Sequence, residues 1–131
     1  MFEVQKSAEF SAAHSLRDYD GPCARNHGHN YRVEVVVRGR RLDDRRMIID
    51  FHTIEEILAP VVRRVDHRNL NEIPPFDTVN PTAEAVAAWF FTELKAAVAE
   101  RTGGGGYLAA VRLWETPDAC VTYSEEPPSD S

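Results

Sequence analysis

Apolar positions at Phe2, Val4, Ala8, Phe10 and Ala12 give the stretch from Phe2 to Ala13 an approximate period of two, the mark of a strand with one buried face. The segment from Ser15 to Arg25 is polar and carries Asp20-Gly21-Pro22 as turn punctuation. Tyr31, Val33, Val35 and Val37 then alternate with Arg32, Glu34 and Arg38, which predicts a second strand. Arg40 to Arg46 reads as a charged turn. Met47-Ile48-Ile49 is a short apolar extension leading to Asp50, a residue type favoured at helix N-caps.

From Asp50 the period changes. Ile54, Ile57, Leu58, Val61, Val62 and Val65 fall on one stripe of a helix, and Pro60 inside that pattern predicts a bend or local weakening. Asn80-Pro81 resembles an N-cap followed by proline in the first helical position, opening a second helix with Val86, Trp89, Phe90, Ala97 and Val98 on its buried side. Gly103 to Gly106 ends it. Tyr107 to Glu115 and Ala119 to Ser124 read as two further strands around Thr116-Pro117-Asp118, and Glu125 to Ser131 as a frayed tail. The order ββααββ predicts an α+β fold, a four-stranded antiparallel sheet with two helices on one face. Residues 1–124 are expected to form one domain, since 131 residues with no repeat or long linker suit a single core. Four open strands leave edges that need partners, which points to an oligomer.

Composition narrows the function. With 43% apolar and 27% charged residues the chain has enough to fill a core and no bias toward disorder. The longest apolar run, Ala85 to Phe91, is far too short to cross a bilayer, and the first residues do not resemble a secretory signal, so a cytoplasmic protein is expected. A net charge of −6 has the wrong sign for general attachment to nucleic acid or anionic lipid. Cys23 and Cys120 are expected to be free thiols.

The chemistry concentrates early. His27-Gly28-His29 places two imidazoles two residues apart at the start of a strand, on one face. His14 ends the preceding strand and meets them if the two strands pair as a hairpin. A lone His-x-His is more often surface decoration, but three converging imidazoles with a fourth position open form the donor set of a catalytic zinc site. Cys23 has two open readings: a fourth ligand closing a structural site, or a separate reactive thiol. Asp66-His67 follows the first helix, where the dipole favours a protonated histidine and where ordinary capping is an equal explanation. Glu115, at a strand end, is either a solvated charge or a two-point acceptor for an amidine-like edge. His52, Asp50 and Cys120 have bland explanations as a first-turn polar residue, a helix cap and a small strand residue.

Taken together, Ala12-Ala13-His14, Cys23-Ala24-Arg25-Asn26-His27-Gly28-His29-Asn30-Tyr31, Ile49-Asp50-Phe51, Asp66-His67-Arg68-Asn69-Leu70-Asn71, Asn80-Pro81-Thr82-Ala83-Glu84 and Trp114-Glu115-Thr116 resemble the 6-pyruvoyl-tetrahydropterin synthase family over nearly the whole chain. The short Cys-x3-His-Gly-His spacing is more similar to its bacterial carboxy-forming branch. The resemblance implies a tunnelling fold, whose subunits join around a threefold axis into a barrel, usually a hexamer of two stacked trimers. It implies zinc on His14, His27 and His29, Cys23 as the proton-abstracting group, Asp66 and His67 as a relay that activates it, Glu115 as the anchor of the pterin ring and Thr82 near that ring. Ala83 departs from the serine or threonine common there. The implied reaction takes 7,8-dihydroneopterin triphosphate to 6-carboxytetrahydropterin, acetaldehyde and triphosphate on the route to 7-deazaguanines such as queuosine. The competing readings are a pyruvoyl-forming synthase, a zinc hydrolase in which Cys23 is incidental, and a structural zinc protein closed by Cys23 and the three histidines. No dinucleotide-binding glycine motif is present, so a nicotinamide cofactor is not expected.

Overall fold

The computed structural model describes residues 1–129. The elements in chain order are β1 (Phe2–His14), β2 (His27–Gly39), α1 (Phe51–Arg63), β3 (Arg68–Asn69), α2 (Ala83–Thr102), β4 (Gly106–Thr116) and β5 (Ala119–Ser124). They form a five-stranded sheet in the order β3-β1-β2-β4-β5. All pairings are antiparallel except β3 with β1. The expected four-stranded sheet thus gains a fifth, two-residue strand, Arg68–Asn69, parallel to Ala12–Ala13. So short a strand leaves no periodic pattern to read.

The two long strands pair in full register from Phe2 with Gly39 to His14 with His27. Alternation sends Phe10, Ala12, Tyr31, Val33, Val35 and Val37 to the helix-covered face, where they are buried. Phe10 stacks on Tyr31 with centroids 4.8 Å apart and meets Phe90 of α2 at 5.6 Å. Val111 and Leu113 of β4 and Leu94 and Val98 of α2 complete this core. The open face carries Glu34 with Arg112 at 3.2 Å, Glu3 with Arg38 at 2.8 Å, and Arg32 over the Trp114 ring.

In the ladder between β2 and β4, Val36 pairs with Ala110 but Val37 with Leu108, leaving Ala109 as an extra residue. This bulge lets Leu108 and the later Val111 and Leu113 all be buried although strict alternation would set Leu108 apart from them.

Helix α1 begins where expected: the Asp50 carboxylate caps His52 N–H at 2.8 Å. Pro60 sits on its exposed side and the helix continues to Arg63. Helix α2 begins two residues later than Asn80-Pro81 implied. Its N-cap is Thr82, whose hydroxyl accepts from Ala85 N–H at 3.1 Å. The Asn80 amide is engaged elsewhere, with Arg17. Gly103, at φ 57°, closes α2 in the left-handed conformation, which glycine adopts without strain. In the expected tail, Glu125 is bound to Lys95 at 2.9 Å and to the Tyr123 hydroxyl at 2.8 Å. Its last two residues, Asp130 and Ser131, lie outside the described residues. No described helix is long and apolar enough to cross a membrane.

Candidate metal centre and active site

Because His14 and His27 are paired across β1 and β2 and His29 follows two residues on, all three imidazoles leave the helix-covered face at one end of the sheet. One ligand atom from each lies within 4.8 Å of the others. His14 Nδ1 donates to the Pro81 carbonyl at 2.8 Å and His27 Nδ1 to the Arg25 carbonyl at 2.7 Å. A carbonyl only accepts, so these bonds assign the ring protons to Nδ1 and leave both Nε2 atoms with lone pairs. Those two nitrogens are 3.0 Å apart. His29 Nε2 is buried with no protein partner. Two facing lone pairs and an orphaned third call for a cation between them, and neutral imidazoles oriented by a second bond through the other nitrogen are the usual form of metal ligands. Burial holds the His29 pKa below its ordinary value; the charge of Glu115 opposes this, and His14 and His27 add to it. The donor set fits a three-coordinate metal site with an open position.

The Cys23 thiol is not part of this convergent set among the described residues. Cys23 is half-buried in the loop between β1 and β2, its carbonyl accepting from Leu16 N–H at 2.9 Å. The closed four-ligand reading therefore has no geometric support.

Glu115 follows Trp114, which pairs with Arg32 on the open face. Alternation turns Glu115 toward the other side, and Glu115 Oε1 comes to 3.8 Å from His14 Nε2, with the side chain 28% exposed. Its carboxylate is thus beside the histidines and still accessible. Tyr31, fully buried one step beyond His29, has a hydroxyl without a partner. Burial and the Glu115 charge raise its pKa strongly. Thr82 adjoins the site through Pro81, whose carbonyl holds His14.

Asp66 and His67 stand elsewhere. Asp66 Oδ1 accepts Ser11 N–H at 2.9 Å, His67 N–H donates to the Ser11 carbonyl, and His67 Nδ1 is 3.0 Å from Asp66. The Ser11 amide chiefly, and His67 after it, hold the Asp66 carboxyl below the usual range. His67, at φ 59° and with its side chain 81% exposed, borders an open cleft lined by Ser11, Ala13, Gly28 and Asn30, which alternate with the metal-facing residues, and also by Ala12 and His29. The structure thus gathers His14, His27, His29, Glu115 and Thr82 at one end of the sheet and sets Asp66 and His67 at the sheet edge, outside the convergent histidine set.

Composition and spacing gave no site role to Asn71 or to the carbonyls of Arg25 and Pro81, and gave Asn80 only the role of a helix cap. A main-chain acceptor leaves no side-chain signal, and the two asparagines were visible only as members of motifs.

A family model described as 6-pyruvoyl tetrahydropterin synthase matches residues 3–126. The chain belongs to this family. A curated family relative from Synechocystis sp., named 6-carboxy-5,6,7,8-tetrahydropterin synthase, is 37% identical over 128 residues, covering 94% of this chain and 93% of its own. A relative from Pyrococcus furiosus named dihydroneopterin monophosphate aldolase is 32% identical, covering 82% and 84%. The solved structure of the Caenorhabditis elegans 6-pyruvoyl tetrahydropterin synthase superposes with a TM-score of 0.82 at 31% identity, covering 95% of this chain and 96% of that one. The fold is the tunnelling fold of this family.

Proposed function

We propose that this chain is a zinc-dependent 6-carboxytetrahydropterin synthase, converting 7,8-dihydroneopterin triphosphate to 6-carboxy-5,6,7,8-tetrahydropterin, acetaldehyde and triphosphate in the cytoplasmic synthesis of 7-deazaguanines such as queuosine. The carrying observation is the trihistidine set with its unpaired nitrogens and Glu115 at its side. The name of the Synechocystis relative supports the carboxy product.

Zinc held by His14, His27 and His29 supplies Lewis acidity toward the hydroxyls of the substrate side chain. Glu115 accepts two N–H bonds from the amide and amino edge of the pterin, a pairing only an acceptor-only carboxylate makes at both points. Thr82, at the mouth of α2, has its hydroxyl oxygen engaged by Ala85 N–H and keeps its hydrogen free to donate to the ring. The Cys23 thiolate takes a carbon-bound proton from the side chain. Asp66 holds His67 oriented, and His67 exchanges the proton with Cys23.

Because Asp66 and His67 lie at the sheet edge outside the convergent histidine set, the reading assigns them to the site of a neighbouring copy. The edge of β1 that the two-residue β3 leaves unpaired, and that of β5, favour such an assembly, a hexamer of two stacked trimers.

Product analysis with 7,8-dihydroneopterin triphosphate tests the reaction. Equimolar 6-carboxytetrahydropterin and acetaldehyde are expected. A 6-pyruvoyl product overturns the carboxy assignment, and so does an aldolase product, the second reading that the Pyrococcus relative favours.

A further inference from the structure

The loop bearing Cys23 runs from Ser15 to Asn26 outside the sheet, with one short helical turn at Pro22–Ala24. Such a segment holds a side chain in place only if its backbone is tied down. Two asparagines from a distant stretch of chain do this in the same way. Ser15 N–H donates to Asn71 Oδ1 at 2.9 Å while Asn71 Nδ2 donates back to the Ser15 carbonyl at 3.0 Å. Arg17 N–H donates to Asn80 Oδ1 at 2.8 Å while Asn80 Nδ2 donates to the Arg17 carbonyl at 3.1 Å. A primary amide offers the same donor and acceptor as a peptide group, so each asparagine replaces one residue of a strand pair where no strand runs. Leu16, between the two clamped residues, donates its N–H to the Cys23 carbonyl at 2.9 Å. The guanidinium of Arg17 adds bonds to the carbonyls of Phe76 at 2.7 Å and Val79 at 3.2 Å.

We infer that Asn71 and Asn80 are positioning residues for Cys23, fixing its backbone through Ser15, Leu16 and Arg17. The same connecting segment supplies the Pro81 carbonyl that orients His14. One stretch of chain therefore sets the thiol and the metal-facing imidazole relative to each other. Neither amide is placed to touch substrate in this role; each acts through the main chain of the loop. The inference rests on the reading of Cys23 as the proton-abstracting group, and a displacement of about 1 Å in such a group costs up to about a hundredfold in rate.

The test uses zinc-loaded protein in a Cys120→Ser background, so that Cys23 is the one remaining thiol. Asn80→Ala and Asn71→Ala are expected to keep one zinc per chain and near-native KM, to lower kcat about tenfold or more, and to change the rate and pH profile of Cys23 alkylation by iodoacetamide. Asn80→Asp and Asn71→Asp keep the acceptor and lose the donor, so they should fall between wild type and alanine; they carry the test if the alanine variants do not fold. Unchanged kcat and unchanged Cys23 alkylation in the aspartate or alanine variants overturn the inference. Loss of zinc together with thermal stability, with an unaltered alkylation profile, also overturns it, because the amides would then serve the fold alone. Full turnover in Cys23→Ala sinks the thiol mechanism itself, while the alkylation rates still decide whether the asparagines hold the loop.

Discussion

Two regions of the sheet are unequally furnished. On the helix-covered side, His14 is almost fully buried and His14, His27, His29 and Glu115 converge with oriented nitrogens and an accessible carboxylate. At the sheet edge, Asp66 and His67 make a tight pair of their own, with His67 mostly exposed on a cleft that His29 also lines, and outside the convergent set of His14, His27 and His29. One chain therefore converges three histidines and Glu115 at one end of its sheet and presents the Asp66–His67 pair outward. On the proposed reading, the difference separates what a subunit does alone from what it contributes to another.

The largest effect expected is on the binding side. Replacing His27 or His29 by alanine removes one of three ligands and should weaken zinc by about a hundredfold or more; competition with a chelator measures it, and full retention of zinc would remove the metal centre. Next, Cys23→Ala and His67→Ala, each inactive alone, should complement when the two chains are co-assembled. If the site draws Cys23 and His67 from different copies, random mixing restores about a quarter of wild-type turnover, whereas no recovery in verified mixed assemblies would place both groups in one chain.

Glu115→Gln should weaken pterin binding about tenfold while zinc stoichiometry stays unchanged, because the amide donates where the ring also donates. Fluorescence titration with a pterin reads this directly; equal affinity would take Glu115 out of the site.

A smaller effect concerns acid stability. The folded Asp66 pKa is lowered, first by the Ser11 amide, so its contribution is present above the unfolded value of about 3.9 and is lost as pH falls through the folded value. Melting curves taken down through that range should show a shallower acid loss in Asp66→Asn than in wild type, and parallel curves would contradict the Ser11 bond. The smallest change is expected from Tyr31→Phe in metal-free protein. The Tyr31 hydroxyl is buried without a partner, so removing it should leave Tm unchanged or slightly raised; a clear fall would reveal a bond to that oxygen.

The trihistidine set was legible because strand alternation is a local rule: His27 and His29 must share a face, and a hairpin must bring His14 to them. The cap of α2 was misread for an equally concrete reason, since the Asn80 side chain that matched a capping signal is spent on Arg17, some sixty residues back in the chain. For Asp66-His67 at the end of the first helix, spacing offers a protonated histidine on the helix dipole or ordinary capping; the Asp66 carboxylate binds Ser11 of β1, a long-range contact that no spacing encodes. The two-residue β3 pairs with Ala12 and Ala13 just beyond that contact and is likewise a long-range pairing that leaves no local pattern.

The extra residue at Ala109 makes β4 sensitive to where its length is counted rather than to chemistry. Deleting Ala109 itself would leave a regular ladder, with Leu108 still opposite Val37 and Ala110 opposite Val36 and with Leu108, Val111, Leu113 and Glu115 still on one face, whereas deleting a residue between Val111 and Glu115 would turn the Glu115 carboxylate away from the helices. Natural variation should therefore tolerate loss of the residue at 109 far better than loss of one further along the strand, and a one-residue deletion at Arg112 should damage the Glu115 end of the sheet more than one at Ala109.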